Sequence, residues 1–468
     1  MHLDPIPFES FSYPFFEFSY RADHARLVDA FLNPGELPKN HGRKGLYVHI
    51  PFCTSICRFC PFVKGVGTRE RIDAYVAALE AELLLIGETS RVASWVFDSV
   101  YIGGGTPSIL ELVHIERLFQ AIRRHLQLDP QCEISFELEA KTVSREKLLC
   151  LRQLGVSRVS FGAQTFDARI RPFLNLTATP EEVANTIALF AELFPDSNNM
   201  DMIVGLPGQG EEDMYQDLEQ AVSSGISSIS IYPMDYVMTL PSFLEQIRQG
   251  AIPAPADPQT RNAMFYDARK FLERHFTEDN IYSYRRQGSA PSRYMFATVY
   301  GGYRDEYVGV GCSAYSYLRG LMYQNVLSEA DYVERLQQGR SPVRVASPYH
   351  AFEKGLVFFP KRMSFDFGEL GRLDLLEIYE GRIQALIEGG LVWLDEQTLR
   401  LTPLGEKHYA ALMVQFFSES QRRLYRKITQ RLKAQIGWDE GMGALSQKPL
   451  VRGYGGLTAM AGRKSAGQ

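Results

Sequence analysis

The sequence contains no uninterrupted run of about 18 apolar residues, so no membrane-spanning helix is expected. Its first residues lack a basic region followed by an apolar run, so no signal peptide is expected either. A net charge of −5 at pH 7 over 468 residues is close to balanced and gives no electrostatic case for binding nucleic acid. We therefore expect a cytoplasmic protein with neither a membrane nor a nucleic-acid partner.

Cysteine is scarce, with six in 468 residues, which argues against a disulfide scaffold and for a reducing compartment. Three of them nevertheless lie together, because Cys53, Cys57 and Cys60 follow a C-x3-C-x2-C spacing. Three thiolates this close can bind a [4Fe–4S] cluster and leave its fourth iron open to a ligand. The alternatives are three buried thiols or a zinc site, although no second pair of ligands lies nearby. Cys132 and Cys150 fall in apolar patterns and are predicted to be core residues.

From residue 46 onward, short β-rich runs alternate with longer amphipathic segments, which predicts βα units and a parallel sheet. Strands are predicted at 45–50, 97–103, 133–137, 158–162, 200–204 and 228–232, with helices at 69–86, 179–194 and 211–223. Thr179 is the predicted N-cap of its helix, and Pro180 takes the first helical position. Because crossovers are right-handed, the predicted fold class is α/β, a partial (β/α)6 TIM-type barrel with a small, mainly helical C-terminal domain.

Composition divides the chain into five predicted parts. They are an aromatic-rich N-terminal segment (1–45), the barrel (46–250), barrel completion and a linker (251–345), a C-terminal helical or winged-type domain (346–440) and a disordered basic tail (441–468). The first part is interpreted as a wrap over the domain surface, with a lid over a site as the alternative. A β-hairpin is predicted over 391–402 in the fourth part.

Polar or glycine-rich stretches follow the predicted strands, at the end where barrels of this type carry catalytic residues. The first strand ends at the cysteine loop, and the others end at 103–108, Glu137 and Glu139, Gln164, Asp201 with 205–207, and Tyr232 with Asp235. A helix cap or a turn explains any one of these residues, but six strand ends at one rim favour a shared site. Glycines there let bare backbone approach a ligand, and a carboxylate can accept hydrogen bonds from an ammonium or a ribose hydroxyl.

Five stretches of the chain match known motifs closely. They are Tyr-Val-His-Ile-Pro-Phe-Cys at 47–53, Gly-Gly-Gly-Thr-Pro-Ser at 103–108, Glu-Ile-Ser-Phe-Glu at 133–137, Phe-Gly-Ala-Gln-Thr-Phe at 161–166 and Asp-Met-Ile-Val-Gly-Leu-Pro at 201–207. Together they resemble the oxygen-independent coproporphyrinogen III dehydrogenase family of the radical S-adenosylmethionine (SAM) superfamily. The resemblance includes relatives of different chemistry, such as class C radical SAM methyltransferases, cyclopropane-forming enzymes and heme chaperones.

The resemblance implies a [4Fe–4S] cluster on Cys53, Cys57 and Cys60 and two SAM molecules in one site. By motif, Tyr47, Gly104 and Glu137 would contact the SAM on the cluster, and Phe59, Gly105, Thr106, Gln164 and Asp201 would line the second SAM. An external electron donor such as flavodoxin or ferredoxin is expected, and so is a monomer.

Two departures from the family pattern shape the functional prediction. Pro61 and Phe62 follow the last cluster cysteine where the dehydrogenase has Gly-Cys. Leu176 stands where the family has an arginine, so either Arg171 or Arg169 replaces it or the second SAM is held differently. Both departures count against decarboxylation of a porphyrinogen.

The function predicted from the sequence is therefore a radical SAM enzyme that cleaves one SAM to a 5′-deoxyadenosyl radical. The second SAM would donate a methyl or methylene unit to an sp2 carbon of an aromatic or tetrapyrrole-like substrate. The alternatives are an oxidative decarboxylase of porphyrinogen propionates, similar to oxygen-independent coproporphyrinogen III oxidase, and a heme chaperone without turnover.

Overall fold

The structure is a computed structural model that describes residues 23–38, 41–60, 62–236, 239–294, 304–349, 351–370, 373–419, 421–423, 425–427 and 430. Six parallel strands form the centre of its main sheet. They are β1 Lys44–Ile50, β4 Phe97–Gly104, β5 Leu128–Leu138, β6 Arg158–Gln164, β7 Asn198–Val204 and β8 Ser228–Pro233, and the short strands β2 Phe52–Cys53 and β3 Gly65–Val66 pair separately. Each central strand pairs in parallel with the next along the chain, which confirms the six predicted strands.

Six further strands extend the sheet at both edges. They are β9 Thr277–Asn280, β10 Ser283–Arg285, β11 Glu306–Val310, β12 Tyr315–Leu318, β13 Gly320–Asn325 and β14 Val343–Tyr349. β11 pairs in parallel with β1, whereas β12, β13 and β14 follow antiparallel, and β10 and β9 extend the edge beyond β8. Among the described residues the sheet therefore ends in β14 on one side and β9 on the other, and these two strands do not pair. This open sheet agrees with the predicted partial barrel. All six lie within 251–345 or just beyond it, where the sequence predicted barrel completion but no individual strands.

Helices connect the strands, and six of the ten named below begin at a residue whose side chain accepts a hydrogen bond from the first turn. Up to residue 337 they are α1 His24–Leu32, α2 Arg69–Gly87, α3 Ser90–Ala93, α4 Leu112–His125, α5 Arg145–Gln153, α6 Pro180–Leu193, α7 Glu211–Ser223, α8 Pro241–Arg248, α9 Pro258–Leu272 and α10 Glu329–Gln337. Thr179 accepts a hydrogen bond from the Glu182 backbone, and the Glu182 carboxylate accepts one from Thr179 N, so the predicted cap of α6 is confirmed.

The largest apolar cluster fills the space between the sheet and its helices. Leu46, Val48 and Ile50 of β1 are fully buried within it, as expected for a parallel strand covered on both faces. Cys132 packs against this cluster but is only half-buried, and Cys150 is half-buried on α5. The prediction that both cysteines belong to the core is therefore too strong, because each side chain keeps part of its surface exposed.

A second apolar cluster attaches the C-terminal part of the chain to the carboxyl-end rim of the sheet. Leu174 and Leu206, which follow β6 and β7, share it with Phe358 and Phe416 from that part. The C-terminal elements are α11 Ala351–Arg362, β15 Ser364–Asp366, α12 Phe367–Leu370, α13 Asp374–Ile378, α14 Glu380–Glu388, β16 Val392–Asp395, β17 Thr398–Leu401, α15 Pro403–Lys407 and α16 Tyr409–Gln415. β16 and β17 form the predicted hairpin, and β15 adds a third antiparallel strand.

The division into five parts stays a prediction. Residues 1–22 and 431–468, which hold half of the predicted wrap and the whole predicted tail, lie outside the described residues. None of the helices described here has both the length and the apolar character that crossing a membrane requires.

A buried carboxyl group joins α2 to the strands that complete the sheet. Glu82 is 3% exposed and accepts hydrogen bonds from Gly311 N at 2.7 Å, Asn325 Nδ2 at 2.7 Å and Tyr332 Oη at 2.5 Å. Burial raises the pKa of Glu82 from 4.5 to about 7, against the opposing effect of these three donors. Between pH 4.5 and 7 the folded protein therefore holds a proton that the unfolded chain has lost.

We expect this group to make the fold less stable as pH rises. Its contribution is complete below pH 4.5 and is lost as pH rises towards 7, by about 1–3 kcal/mol. Urea unfolding at pH 5 and pH 7.5 should give a smaller pH-dependent loss for Glu82→Gln than for wild type. Glu80→Gln, two positions earlier in α2 and partly exposed beside Arg117, is the matched control. Equal losses in all three proteins would contradict the assignment.

Candidate active site

The cysteine loop begins at the carboxyl end of β1 and is held in place by later parts of the chain. Cys53 is buried, Cys57 and Cys60 are half-buried, and none of the six cysteines, all of which are described, forms a disulfide. The Arg58 backbone donates to Leu174 O and accepts from Leu240 N, both at 3.1 Å. Contacts from the segments after β6 and β8 thus fix the middle of the loop.

The thiols are close enough for the charge of one to affect the others. Burial, and then neighbouring thiols and Glu139, raises the pKa of Cys57 to about 12. Burial raises the pKa of Cys53 to about 11, against a hydrogen bond with Thr106. Both thiols are thus protonated at neutral pH, so binding of metal would have to release their protons.

The end of β4 packs directly against this loop. Gly105 N donates to Ile50 O and Thr106 N to Phe52 O, each at 2.7 Å. A Cβ atom on Gly105 would lie 2.7 Å from Phe52 O and 3.0 Å from Cys53 Sγ, so only glycine permits this approach. The glycine-rich motif therefore allows the end of β4 to pack closely against the cysteine loop.

Glu137 lies on β5 beside the same glycines. Its Oε1 accepts from Tyr101 Oη at 2.5 Å, and its Oε2 accepts from Gly104 N at 3.1 Å. Burial raises the pKa of this carboxyl, against the effect of the two donors. Gly104 has a φ of +116°, a left-handed conformation that favours glycine, and it turns its N–H toward Glu137.

Asp201 on β7 forms a second acidic group near Glu137. Asn199 Nδ2 donates to Asp201 Oδ1 at 2.8 Å, and the Ser230 hydroxyl also bonds to this carboxyl. Burial, and then the charge of Glu137, raises the pKa of Asp201 to about 7. The strand ends thus bring together two carboxyl groups that the sequence placed 64 positions apart (201 − 137).

Three tyrosine rings line the site beside Glu137. Tyr101 stacks on Tyr294 with ring centres 4.5 Å apart, and Tyr47 lies 6.4 Å and 6.2 Å from these two rings. Tyr294 reaches this position because the Glu133 carboxylate accepts hydrogen bonds from Ser292 Oγ and the backbone of residues 293 and 294. Tyr294 was not among the predicted site residues, because it belongs to no sequence motif and follows an irregular segment.

His49 fixes the hydroxyl group of Tyr47. His49 Nε2 lies 3.2 Å from Val63 O, which can only accept, so Nε2 carries the proton. His49 Nδ1 therefore accepts from Tyr47 Oη at 2.9 Å. Burial lowers the pKa of His49 to about 4, so the ring stays neutral at physiological pH. His49 belongs to the first motif, but no role was predicted for it from the sequence.

Two predicted residues have described contacts outside this group. Gln164 has a φ of +60°, a left-handed backbone conformation. With its side-chain amide oriented so that the nitrogen faces the backbone of β6, this nitrogen donates to Gly162 O at 3.0 Å and to Ala163 O at 3.3 Å. Phe59 packs against the second apolar cluster. Their roles toward a second SAM stay predictions.

The arginines suggested as substitutes at Leu176 are bound to protein atoms. Arg169 pairs with Asp167 and Asp213 at the surface. Arg171 is buried and donates to Thr165 O and Ala178 O at 2.7 Å and to a third carbonyl at 3.1 Å. These contacts therefore do not support the prediction that Arg169 or Arg171 replaces the family arginine for which Leu176 stands.

The chain is similar in sequence and in structure to known proteins. A model described as the radical SAM superfamily matches residues 47–221. The heme chaperone HemW of Lactococcus lactis is 26% identical over 367 residues, which cover 77% of this chain and 93% of the relative. The oxygen-independent coproporphyrinogen III oxidase of Pseudomonas aeruginosa is 28% identical over 313 residues, which cover 64% and 67%. Coproporphyrinogen III oxidase (HemN) from Escherichia coli superposes with a TM-score of 0.71 at 21% identity, covering 86% of this chain and 96% of that structure.

Proposed function

The chain contains a radical SAM domain, over residues 47–221, and we propose from this premise that it cleaves SAM and oxidises a tetrapyrrole-like substrate. One observation carries the proposal. The backbone of Gly104 and Gly105 lies between the cysteine loop and the Glu137 carboxylate, so an iron–sulfur centre and a SAM-binding carboxylate would share one rim. The cofactors are a [4Fe–4S] cluster and SAM.

The donor set fits a cluster better than a single ion. Among the described residues, no three His, Cys, Asp or Glu side chains converge on one metal-sized point. A cluster places each thiolate on a different iron, so Cys53, Cys57 and Cys60 need not meet at one point. When bound, the cluster supplies the electron that splits SAM into methionine and a 5′-deoxyadenosyl radical.

Side chains of this protein would bind and orient SAM and would shield the carbon radical from water. Glu137 keeps lone pairs beyond its two donors and can accept from the ammonium or a ribose hydroxyl of SAM. Tyr47, with its hydroxyl held by neutral His49, stacks with Tyr101 and Tyr294 into a wall that displaces water. Low water content matters, because a carbon radical abstracts hydrogen from any mobile donor within reach.

The rings of Tyr47, Tyr101 and Tyr294 are also suited to bind a tetrapyrrole-like substrate. Flat aromatic rings offer π-faces to a planar macrocycle. The relatives named for coproporphyrinogen III and for heme are both proteins of tetrapyrroles. Together they favour the two alternatives named from the sequence, a porphyrinogen decarboxylase or a heme chaperone, over methyl or methylene transfer, and only the oxidase relative favours decarboxylation. The two SAM molecules and Asp201 as a ligand of the second belong to this proposal.

A second candidate is a heme chaperone. It is favoured by the match to HemW, which extends over 93% of that relative. The carboxyl pair and the cysteine loop would then hold the cluster and a ligand without regular turnover.

Product analysis separates these functions. Anaerobically reconstituted protein is incubated with dithionite, SAM and coproporphyrinogen III, and its heme binding is measured in parallel. We expect 5′-deoxyadenosine and a decarboxylated tetrapyrrole. Formation of S-adenosylhomocysteine as a second product would instead support the transfer of a methyl group from SAM, as predicted from the sequence. Tight heme binding with neither product would support the chaperone.

A further inference from the structure

One acidic residue at the carboxyl-end rim of the sheet is not used by the proposed function. Glu139 directly follows β5 and is half-buried. Its Oε2 accepts a hydrogen bond from Thr54 Oγ1 at 2.7 Å. Thr54 is the residue after Cys53, so this bond joins the carboxylate to the start of the cysteine loop. A hydroxyl that donates to a carboxylate makes a charge-assisted hydrogen bond, which is about twice as strong as a neutral one.

Backbone contacts hold Glu139 in this position. Glu139 N donates to Ser108 Oγ at 2.9 Å, and Glu139 O accepts from Thr142 N at 2.8 Å and from Thr142 Oγ1 at 2.9 Å. Ser108 is the last residue of the glycine-rich motif after β4 and is fully buried. The carboxylate is therefore fixed between the glycine-rich motif and the cysteine loop.

The charge of Glu139 acts on the predicted cluster ligands. Burial is the largest cause of the raised pKa of Cys53 and of Cys57, and the charge of Glu139 raises both pKa values further. The charge of Lys64 acts on both thiols in the opposite direction. A carboxylate that repels a thiolate also repels an electron added at the same place. Net charge is one of the properties that set the reduction potential of an iron–sulfur cluster.

We propose that Glu139 makes the cluster a stronger reductant, because it holds a negative charge beside the cysteine loop. This inference rests on the cluster of the proposed function. Reduction of the cluster takes one electron from an external donor and neither makes nor breaks a bond. The same electron then enters the C5′–S bond of SAM, which breaks into methionine and the 5′-deoxyadenosyl radical. A more negative potential of the cluster favours this second transfer.

The test measures the midpoint potential of the anaerobically reconstituted protein, by a redox titration followed with electron paramagnetic resonance. Glu139→Gln removes the charge but keeps an amide oxygen that can accept from Thr54 Oγ1. It should stabilise the reduced cluster roughly tenfold and so raise the midpoint potential, by about 59 mV for one electron. Glu146→Gln, the same change at an exposed site on α5, is the matched control and should leave the potential unchanged.

Two further variants separate the charge from the geometry of the loop. Thr54→Val removes the hydrogen bond and leaves the carboxylate, so it should shift the midpoint potential less than Glu139→Gln does. Lys64→Gln removes the opposing charge and should shift the potential in the negative direction. Iron content per chain is measured for every variant, so that loss of the cluster is not mistaken for a change in potential.

An unchanged potential in Glu139→Gln, or an equal shift in Thr54→Val, would overturn the proposal. If Glu139→Gln binds no cluster, Lys64→Gln decides, and a shift that is absent or positive would overturn the proposal. Wild-type protein that binds a cluster but forms no 5′-deoxyadenosine with dithionite refutes the proposed function alone, because the potentials still test the role of Glu139. Wild-type protein that binds no cluster refutes both.

Discussion

Replacing Cys53, Cys57 and Cys60 together with alanine is expected to abolish both the cluster and SAM cleavage. These three thiols share one loop, and Cys53 lies against the backbone of the β4 end, so no other described cysteine can substitute from its position. Iron and acid-labile sulfide per chain should fall to background after anaerobic reconstitution. The absorbance of the cluster and the formation of 5′-deoxyadenosine should be lost with them.

The double variant Cys132→Ala and Cys150→Ala is the matched control. Both residues are half-buried and lie away from the loop, so iron content and SAM cleavage should stay at the wild-type level. The melting temperature of all proteins is compared without iron, so that a folding defect is not mistaken for loss of a ligand. A full cluster in the triple variant would refute the assignment.

The two carboxyl groups of the site should separate two SAM-dependent events. Glu137→Gln should weaken SAM binding about tenfold or more, because it replaces charge-assisted hydrogen bonds worth about 1.5–3 kcal/mol each. Cleavage of SAM without substrate should fall with it. Asp201→Asn should keep this substrate-free cleavage to within about twofold but lose substrate-dependent turnover, because Asp201 lies on β7, two strands beyond Glu137 on β5. Calorimetry and quantification of 5′-deoxyadenosine measure both effects.

Asp201 also has a purely structural explanation, since it bonds to Asn199 and Ser230. If substrate-free cleavage and melting temperature fall together in Asp201→Asn, that explanation is correct. Asp217→Asn serves as the control, because Asp217 is a buried carboxyl that bonds to Thr165 and residue 166 outside the site. Unchanged turnover in Asp201→Asn would mean that a second SAM does not depend on this residue.

The central strands could be predicted because each one is a short apolar run bounded by glycine or polar residues. The start of α6 could be predicted for a local reason too, since Thr179, Pro180 and Glu182 form its cap within four residues. The neighbours Glu137 and Gly104 follow from the same logic, because adjacent parallel strands end at one rim. The sequence was therefore sufficient to predict those elements whose structure depends on residues that are close together in the chain.

Other parts of the site depend on contacts that no local pattern contains. Tyr294 joins the ring stack through Glu133, more than 150 positions earlier in the chain. The exposure of Phe62 is equally invisible in the sequence, since its neighbours Phe59 and Phe52 point into apolar clusters. Gln164 looked like a ligand residue at a strand end, but its left-handed backbone turns the amide toward its own strand.

The pairing of β1 with β11 has a consequence for synthesis of the chain. Lys44 in β1 meets its register partner Glu306 and forms a buried ion pair with it at 2.9 Å. At ribosomal rates of about 5–20 residues per second, β11 emerges roughly 15–50 s after β1. Throughout that interval the strand that leads into the cysteine loop is an unpaired sheet edge, open to association with other chains. This edge of the nascent sheet therefore stays exposed until residues 306–310 have been synthesised and pair with β1.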